Sequence, residues 1–316
     1  MECWKQDLLA LFPLRIRSAL EGLTGLKERS LQEIRIRVNG PVQAIGSGWE
    51  CFFRDGIPCS AAEATLYAQI KDCQDILDAI SFHSIYAVEE EMRRGFLTLP
   101  GGYRVGFSGK ALLRGGTLER ITSASFFNFR IAREMRGCAD SVLPWLLRSG
   151  RLCSTLILSP PGCGKTTILR DLTRKLSSGE GCQPFKVCVA DERSEIAGCY
   201  NGAPQLALGP RADVLDGCPK AEAIEIMLRS LSPQVIVTDE IGREADLYAL
   251  QNAANAGSAL IATAHASGVQ DIHRRPFLRQ LHENRIFERY LVLCGRPKPG
   301  EVVGIYDEML QEVKGG

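Results

Sequence analysis

The stretch "LILSPPGCGKTT", Leu156 to Thr167, constrains this chain more than any other. Leu156, Ile157 and Leu158 form the short continuous apolar run of a strand buried on both faces. Ile168, Leu169, Leu172 and Leu176 then recur at helical spacing, so a strand, a glycine turn and a helix start are predicted in that order. Such a turn aims successive backbone N–H groups, and the positive end of the helix dipole, at one point that suits a phosphate. Lys165 adds a point charge, Thr166 offers a hydroxyl to Mg²⁺, and Gly162 and Gly164 permit an approach that a Cβ would block. The candidate nucleotide-binding residues are Ser159, Pro160, Pro161, Gly162, Cys163, Gly164, Lys165, Thr166 and Thr167. The motif departs from G-x-x-x-x-G-K-[ST] at Ser159, where the first glycine is expected. Ser is small and the two prolines stiffen the entry, so the opening geometry is expected by a different route.

A second apolar strand is expected in "SPQVIVTDEIG", with Asp239 and Glu240 at its carboxyl end, where ligands bind in open α/β sheets. Asp239 suits the Mg²⁺ shell, and Glu240 suits the orientation or deprotonation of an attacking water. The alternative is a surface acid pair capping the next helix near Arg243.

At 316 residues two domains are the natural expectation. The charge is balanced, 38 basic against 37 acidic residues, which argues against a surface dedicated to neutralising nucleic-acid phosphates. No apolar run reaches the ~18 residues of a membrane span, and the N-terminus lacks the uninterrupted apolar stretch of a signal peptide. A cytosolic protein is expected. Its 12 cysteines are scattered, without C-x-x-C pairs, and read as small buried hydrophobes. Cys163, inside the glycine turn, is the exception and is expected to be open to alkylation or oxidation.

Residues 1–136 read as a small α+β domain. Ile16, Leu20 and Leu23 share a helical face, Glu33 to Val38 alternates like a half-buried strand, and Ile70, Cys73, Leu77 and Ile80 mark an amphipathic helix. "GFLTLPGGYRVGFSG" suggests two short strands, and Phe126 to Ile131 a third. Residues 137–316 read as an α/β domain, with strands at Phe185 to Ala190, Val235 to Thr238 and Ala259 to Thr263 besides the one before the glycine turn. A helix beginning at Pro219 is expected to bury Ala223, Met227, Leu228 and Leu231, and Tyr290 to Leu293 with Val302 to Tyr306 to form a terminal hairpin.

Asp191, Glu192, Arg193 and Glu195 follow the Phe185 strand and are candidates for water positioning or Mg²⁺ contacts, with a solvated charge cluster as the alternative. His265 ends the Ala259 strand, where an imidazole can sense a terminal phosphate, whereas His83, His273 and His282 read as ordinary. Arg104, Arg130, Arg133, Arg193 and Arg211 are candidate fingers for transition-state charge.

Taken together, "LQEIRIRVNGPV", "LPGGYRVGFSG", "SPPGCGKTT", "VADERSEIAG", "SPQVIVTDEIG" and "LQNAANAGSALIATAHA" resemble the bacterial type II/type IV secretion ATPase superfamily over nearly the whole chain. The resemblance implies an N-terminal domain linked to a RecA-like P-loop domain, ATP and Mg²⁺ as ligands, and a homo-hexameric ring. It matches "VADERSEIAG" to an acidic box and "ATAHA" to a histidine box, implying catalytic roles for Asp191, Glu192 or Glu195 and for His265, with Glu240 as the catalytic glutamate. The family often has glycine where this chain has Asp239, and the four-cysteine zinc module of some members is absent. The implied partner is a membrane-embedded, secretion-like channel, of the kind a sporulating cell assembles between mother cell and forespore. Two other readings stay open: a nucleic-acid-associated RecA-like ATPase, and a scaffold that binds ATP without turnover.

Overall fold

The computed structural model describes residues 4–82, 91, 93, 95–132, 134–294 and 300–315. They divide into two compact units, Met1–Arg133 and Glu134–Gly316. The division falls three residues before the boundary expected after residue 136, because the intervening segment is bonded into the second unit: Glu134 accepts the backbone N–H of Ala207 at 2.6 Å.

The first unit is an antiparallel sheet with short helices on its core. Its strands are β1 (Leu31–Arg37), β2 (Gln43–Gly46), β3 (Trp49–Arg54), β4 (Ile57–Cys59), β5 (Phe96–Thr98), β6 (Arg104–Arg114) and β7 (Thr117–Arg130), in the order β4-β3-β2-β1-β7-β6-β5. The alternation of β1 buries Ile34 and Ile36, which pack with Ile16, Leu20 and Leu23. β2 to β4 were not legible in the sequence, and the hairpin of β6 and β7 is far longer than the short strands expected. Of the expected stripe on the helix Ile70–Ile80, Cys73 and Ile80 are buried, while Ile70 is exposed at its first turn. His83 lies outside the described residues.

The second unit carries the short hairpin β8 (Leu147–Arg148) and β9 (Arg151–Leu152) and a sheet of β10 (Thr155–Ser159), β11 (Val187–Asp191), β12 (Ala212–Asp216), β13 (Val235–Thr238), β14 (Ala259–His265), β15 (Arg289–Leu293), β16 (Val302–Asp307) and β17 (Glu312–Gly315). The order is β12-β11-β13-β14-β10-β15-β16-β17; the first six are parallel and the last two extend the sheet antiparallel. Side-chain alternation splits the sheet between two cores. Ile157, Val189, Val237 and Ile261 face the helix Lys165–Ser178 through Ile168, Leu169, Leu172 and Leu176. Leu156, Leu158, Ile236 and Leu260 face the helices Lys220–Ser230, Glu244–Asn255 and Pro276–Glu283. With both faces covered, the central strands must be apolar throughout, and polar residues are displaced to the strand ends. On Lys220–Ser230, Ala223 and Met227 are buried as expected, but Leu231 falls one residue past the helix end and is exposed. Among the described residues no helix is long and apolar enough to cross a membrane.

Candidate functional site

The carboxyl ends of four neighbouring strands, β11, β13, β14 and β10, present Asp191, Asp239, Glu240, His265 and Ser159 along one sheet edge. β10 enters the glycine turn with Ser159 fully buried and still extended, and the left-handed conformations fall later, at Gly162 (φ 71°) and Gly164 (φ 79°). Ser159 therefore needs none of the freedom that glycine supplies, which accounts for the departure in the motif. Gly164 caps the helix Lys165–Ser178. A Cβ there would come within 3.2 Å of the Cα of Gly300, itself at φ 85°, so two backbones meet where neither residue carries a side chain. Cys163 is buried and its thiol donates to the Pro161 carbonyl at 3.2 Å, so the structure shields it from the reagents to which it was expected to be open.

Lys165 is buried, and desolvation lowers its pKa. Its ammonium donates to the carbonyls of Ser159 (3.2 Å) and Pro160 (3.0 Å), to Ser159 Oγ (3.3 Å) and to Nδ1 of His265 (3.0 Å). An ammonium only donates, so Nδ1 accepts and the ring proton sits on Nε2, which faces Glu240 Oε1 at 3.2 Å. Glu240 Oε2 in turn accepts from Arg193 Nη1 at 2.7 Å. Lysine, imidazole, carboxylate and guanidinium thus form one continuous string across three strand ends. Glu240 holds φ 40°, a left-handed conformation rare outside glycine, and its N–H donates to Thr263 Oγ1 at 2.8 Å.

Asp239 is almost wholly buried, and its Oδ2 has no hydrogen-bond partner among the described residues. Burial, with Asp191 nearby, pushes its pKa up to about 7. An orphaned carboxylate oxygen at the same sheet edge, one strand removed from the strand that enters the glycine turn, is a donor that suits a divalent cation. Asp191 is fully buried as well, and burial raises it to about 6 although it accepts the N–H groups of Glu195, Ile196 and Ala197 at 2.9, 3.0 and 2.8 Å. The solvated cluster considered for this segment is therefore not what forms: Asp191 shapes the loop, and Glu192 is held by Lys220 and Arg243. Glu195 is half-buried in that loop.

The other arginines are dispersed. Arg211 bonds Ser177 near the far end of the cradle helix, away from the glycine turn. Arg104 and Arg130 are cross-strand partners in the first unit, with Arg104 over the Phe96 ring at 3.6 Å, and Arg133 lies outside the described residues. His282 bonds Tyr290 at 3.1 Å, and its ring meets that of His273 edge-on. From sequence, Thr263 and Lys220 carried no role, and Arg243 stood only beside a surface acid pair. A lone hydroxyl in the buried run "LIATAHA" was the only hint of Thr263, and nothing hinted at Lys220.

The family model for sporulation stage III, protein AA matches residues 2–313. Stage III sporulation protein AA of Bacillus subtilis is 41% identical over 303 residues, covering 96% of this chain and 95% of that protein. Among solved structures, the ATPase DotB of Legionella pneumophila superposes with a TM-score of 0.56 at 16% identity, over 88% of this chain and 75% of that one. The pilus retraction motor PilT, solved with bound ADP, gives 0.57 at 14% identity, over 90% of this chain and 77% of that one. The fold is thus that of the secretion ATPases, with a RecA-like P-loop core, and the chain belongs to the stage III sporulation protein AA family.

Proposed function

We propose that this chain hydrolyses ATP with Mg²⁺ and uses the cycle to drive a membrane-embedded, secretion-like complex of the sporulating cell. One observation carries the reading: Lys165 and Glu240 touch the same imidazole, at 3.0 and 3.2 Å, so the cradle's charge and a carboxylate base lie one ring apart. Residues 159–167 would hold the triphosphate, with the N–H groups of the turn and Lys165 taking up charge on its oxygens. Glu240 would orient the attacking water and accept its proton as oxygen bonds to the terminal phosphorus and ADP departs with the bridging oxygen. Thr166 and Asp239 would hold Mg²⁺, which supplies charge neutralisation between the β- and γ-phosphates. Among the described residues no group of three or more His, Cys, Asp or Glu side chains could hold a metal, so the remaining ligands would be phosphate and water oxygens. Arg193 and His265 hold the Glu240 carboxylate from two sides, and Arg193 would also be placed to meet transition-state charge.

Family membership supports the sporulation assignment, and the likeness to a retraction motor supports a mechanical use of the cycle in a ring, proposed here as a hexamer. Phosphate release by the purified full-length protein tests the reading. Mg²⁺-dependent turnover should vanish with Lys165→Ala through lost binding and with Glu240→Gln through lost rate. Turnover unchanged in Glu240→Gln would refute the assignment, and stimulation by single-stranded DNA that fades with salt would redirect it to nucleic acid.

A further inference from the structure

We infer that Arg170 is a positioning residue for this site: from the cradle helix it fixes the 191–197 loop, and through that loop the guanidinium of Arg193 on Glu240. Its kinetic consequences rest on the ATPase reading above, whereas the clamp itself rests on geometry.

Arg170 stands four residues after Thr166 and so occupies the same helix face one turn further on. Its Nε donates to the carbonyl of Ile196 at 2.7 Å and its Nη2 to that of Glu195 at 2.6 Å. From the other side, Asp191 accepts the N–H groups of those same two residues and of Ala197. Glu195 and Ile196 are thus gripped by their carbonyls and their amides at once, by side chains of opposite charge. The charges also sustain each other: burial pushes the Arg170 pKa down, and Asp191, with Glu134, favours the charged guanidinium.

The clamp closes an arc of only three residues, Glu192, Arg193 and Ser194, between Asp191 and Glu195. Lys220 and Arg243 fix Glu192, and Ser194, held at φ 54°, donates to Asp216 at 2.6 Å. Arg193 is the one member of the arc that reaches the string, at 2.7 Å from Glu240. A planar fork meets two successive carbonyls in a way that a lysine ammonium does not reproduce.

Hydrogen exchange on the full-length protein without nucleotide reads the clamp directly. In Arg170→Met, the amides of Glu195, Ile196 and Ala197 should exchange about 10-fold faster or more, those of β10 and β13 should not change, and Arg170→Lys should fall between. In phosphate release, Arg170→Met should lower kcat about 10-fold with KM for ATP held within about threefold. Added to Arg193→Ala, it should cost less than about twofold further, because one residue acts through the other. Should Arg170→Met fail to fold, Arg170→Lys carries the same comparisons. Unchanged exchange at 195–197, or kinetic effects of the two substitutions that multiply, would overturn the inference. Faster exchange at 195–197 in Arg170→Met, together with no turnover by the wild-type protein, would leave the clamp standing and remove the ATPase reading.

Discussion

Asp239 imposes a stability gradient with pH that its replacement should erase. The side chain is 1% exposed, and burial beside Asp191 raises its pKa from 3.8 to about 7. Unfolding returns it to the ordinary carboxylate range, so between about pH 4 and 7 the folded chain holds a proton that the unfolded chain has lost. Folded-state affinity for the proton is raised, not lowered; stability is therefore greatest on the acid side of this window and declines as pH climbs through it. A shift of about 3 units corresponds to about 4 kcal/mol in full. Asp239→Asn keeps the shape and cannot ionise. Urea unfolding of both proteins in chelator-containing buffer should show the variant gaining about 3 kcal/mol relative to wild type between about pH 4.5 and about pH 8, with Asp191 cancelling to first order. A difference flat with pH, or one that moves against the variant as pH rises, would refute the argument. The same substitution should remove Mg²⁺-dependent turnover, so that a residue kept at a cost in stability is one the site requires.

Three further outcomes follow from the geometry. Glu240→Gln should retain nucleotide affinity within about threefold while kcat falls about 100-fold or more, read by titration calorimetry and phosphate release. Thr263→Val strips the acceptor from the Glu240 N–H and should cost about 1–3 kcal/mol in urea unfolding, together with a lower kcat at similar KM; a stability loss without a change in kcat would mean that Thr263 does not aim the carboxylate. Leu172→Ala, at a fully buried position under the cradle helix, should cost about 2–5 kcal/mol by the same unfolding assay.

The second unit was largely legible from sequence because both faces of its sheet are buried. Continuous apolar runs such as Val235–Thr238 announce a central strand, and the polar residue that ends each run marks the edge where ligands meet α/β sheets. That logic marks Asp239, Glu240 and His265 in the sequence alone, and the glycine turn marks Lys165. It is silent on what holds them, since the partners of Glu192 come from elements distant in sequence, such as Lys220 at the start of a helix, while Asp191 binds backbone amides only four to six residues on, which advertise nothing in their side chains. The positive φ of Glu240 was equally hidden, because a glutamate in a left-handed conformation is imposed by its surroundings rather than by its own preference. In the first unit, β2 to β4 are short and lack a clean alternation. Gln43 is buried in β2 and Trp49 half-exposed in β3, so periodicity gave no signal there.

The meeting of Gly164 with Gly300 makes one distant stretch of sequence limit what the other can carry. Each position resists a side chain through its own left-handed backbone, and a methyl group at 164 would in addition press on the chain path at Gly300. A doubly randomised library selected for folding should therefore return glycine at both positions, more strictly at 164, where the backbone conformation and the nearby chain at 300 act together.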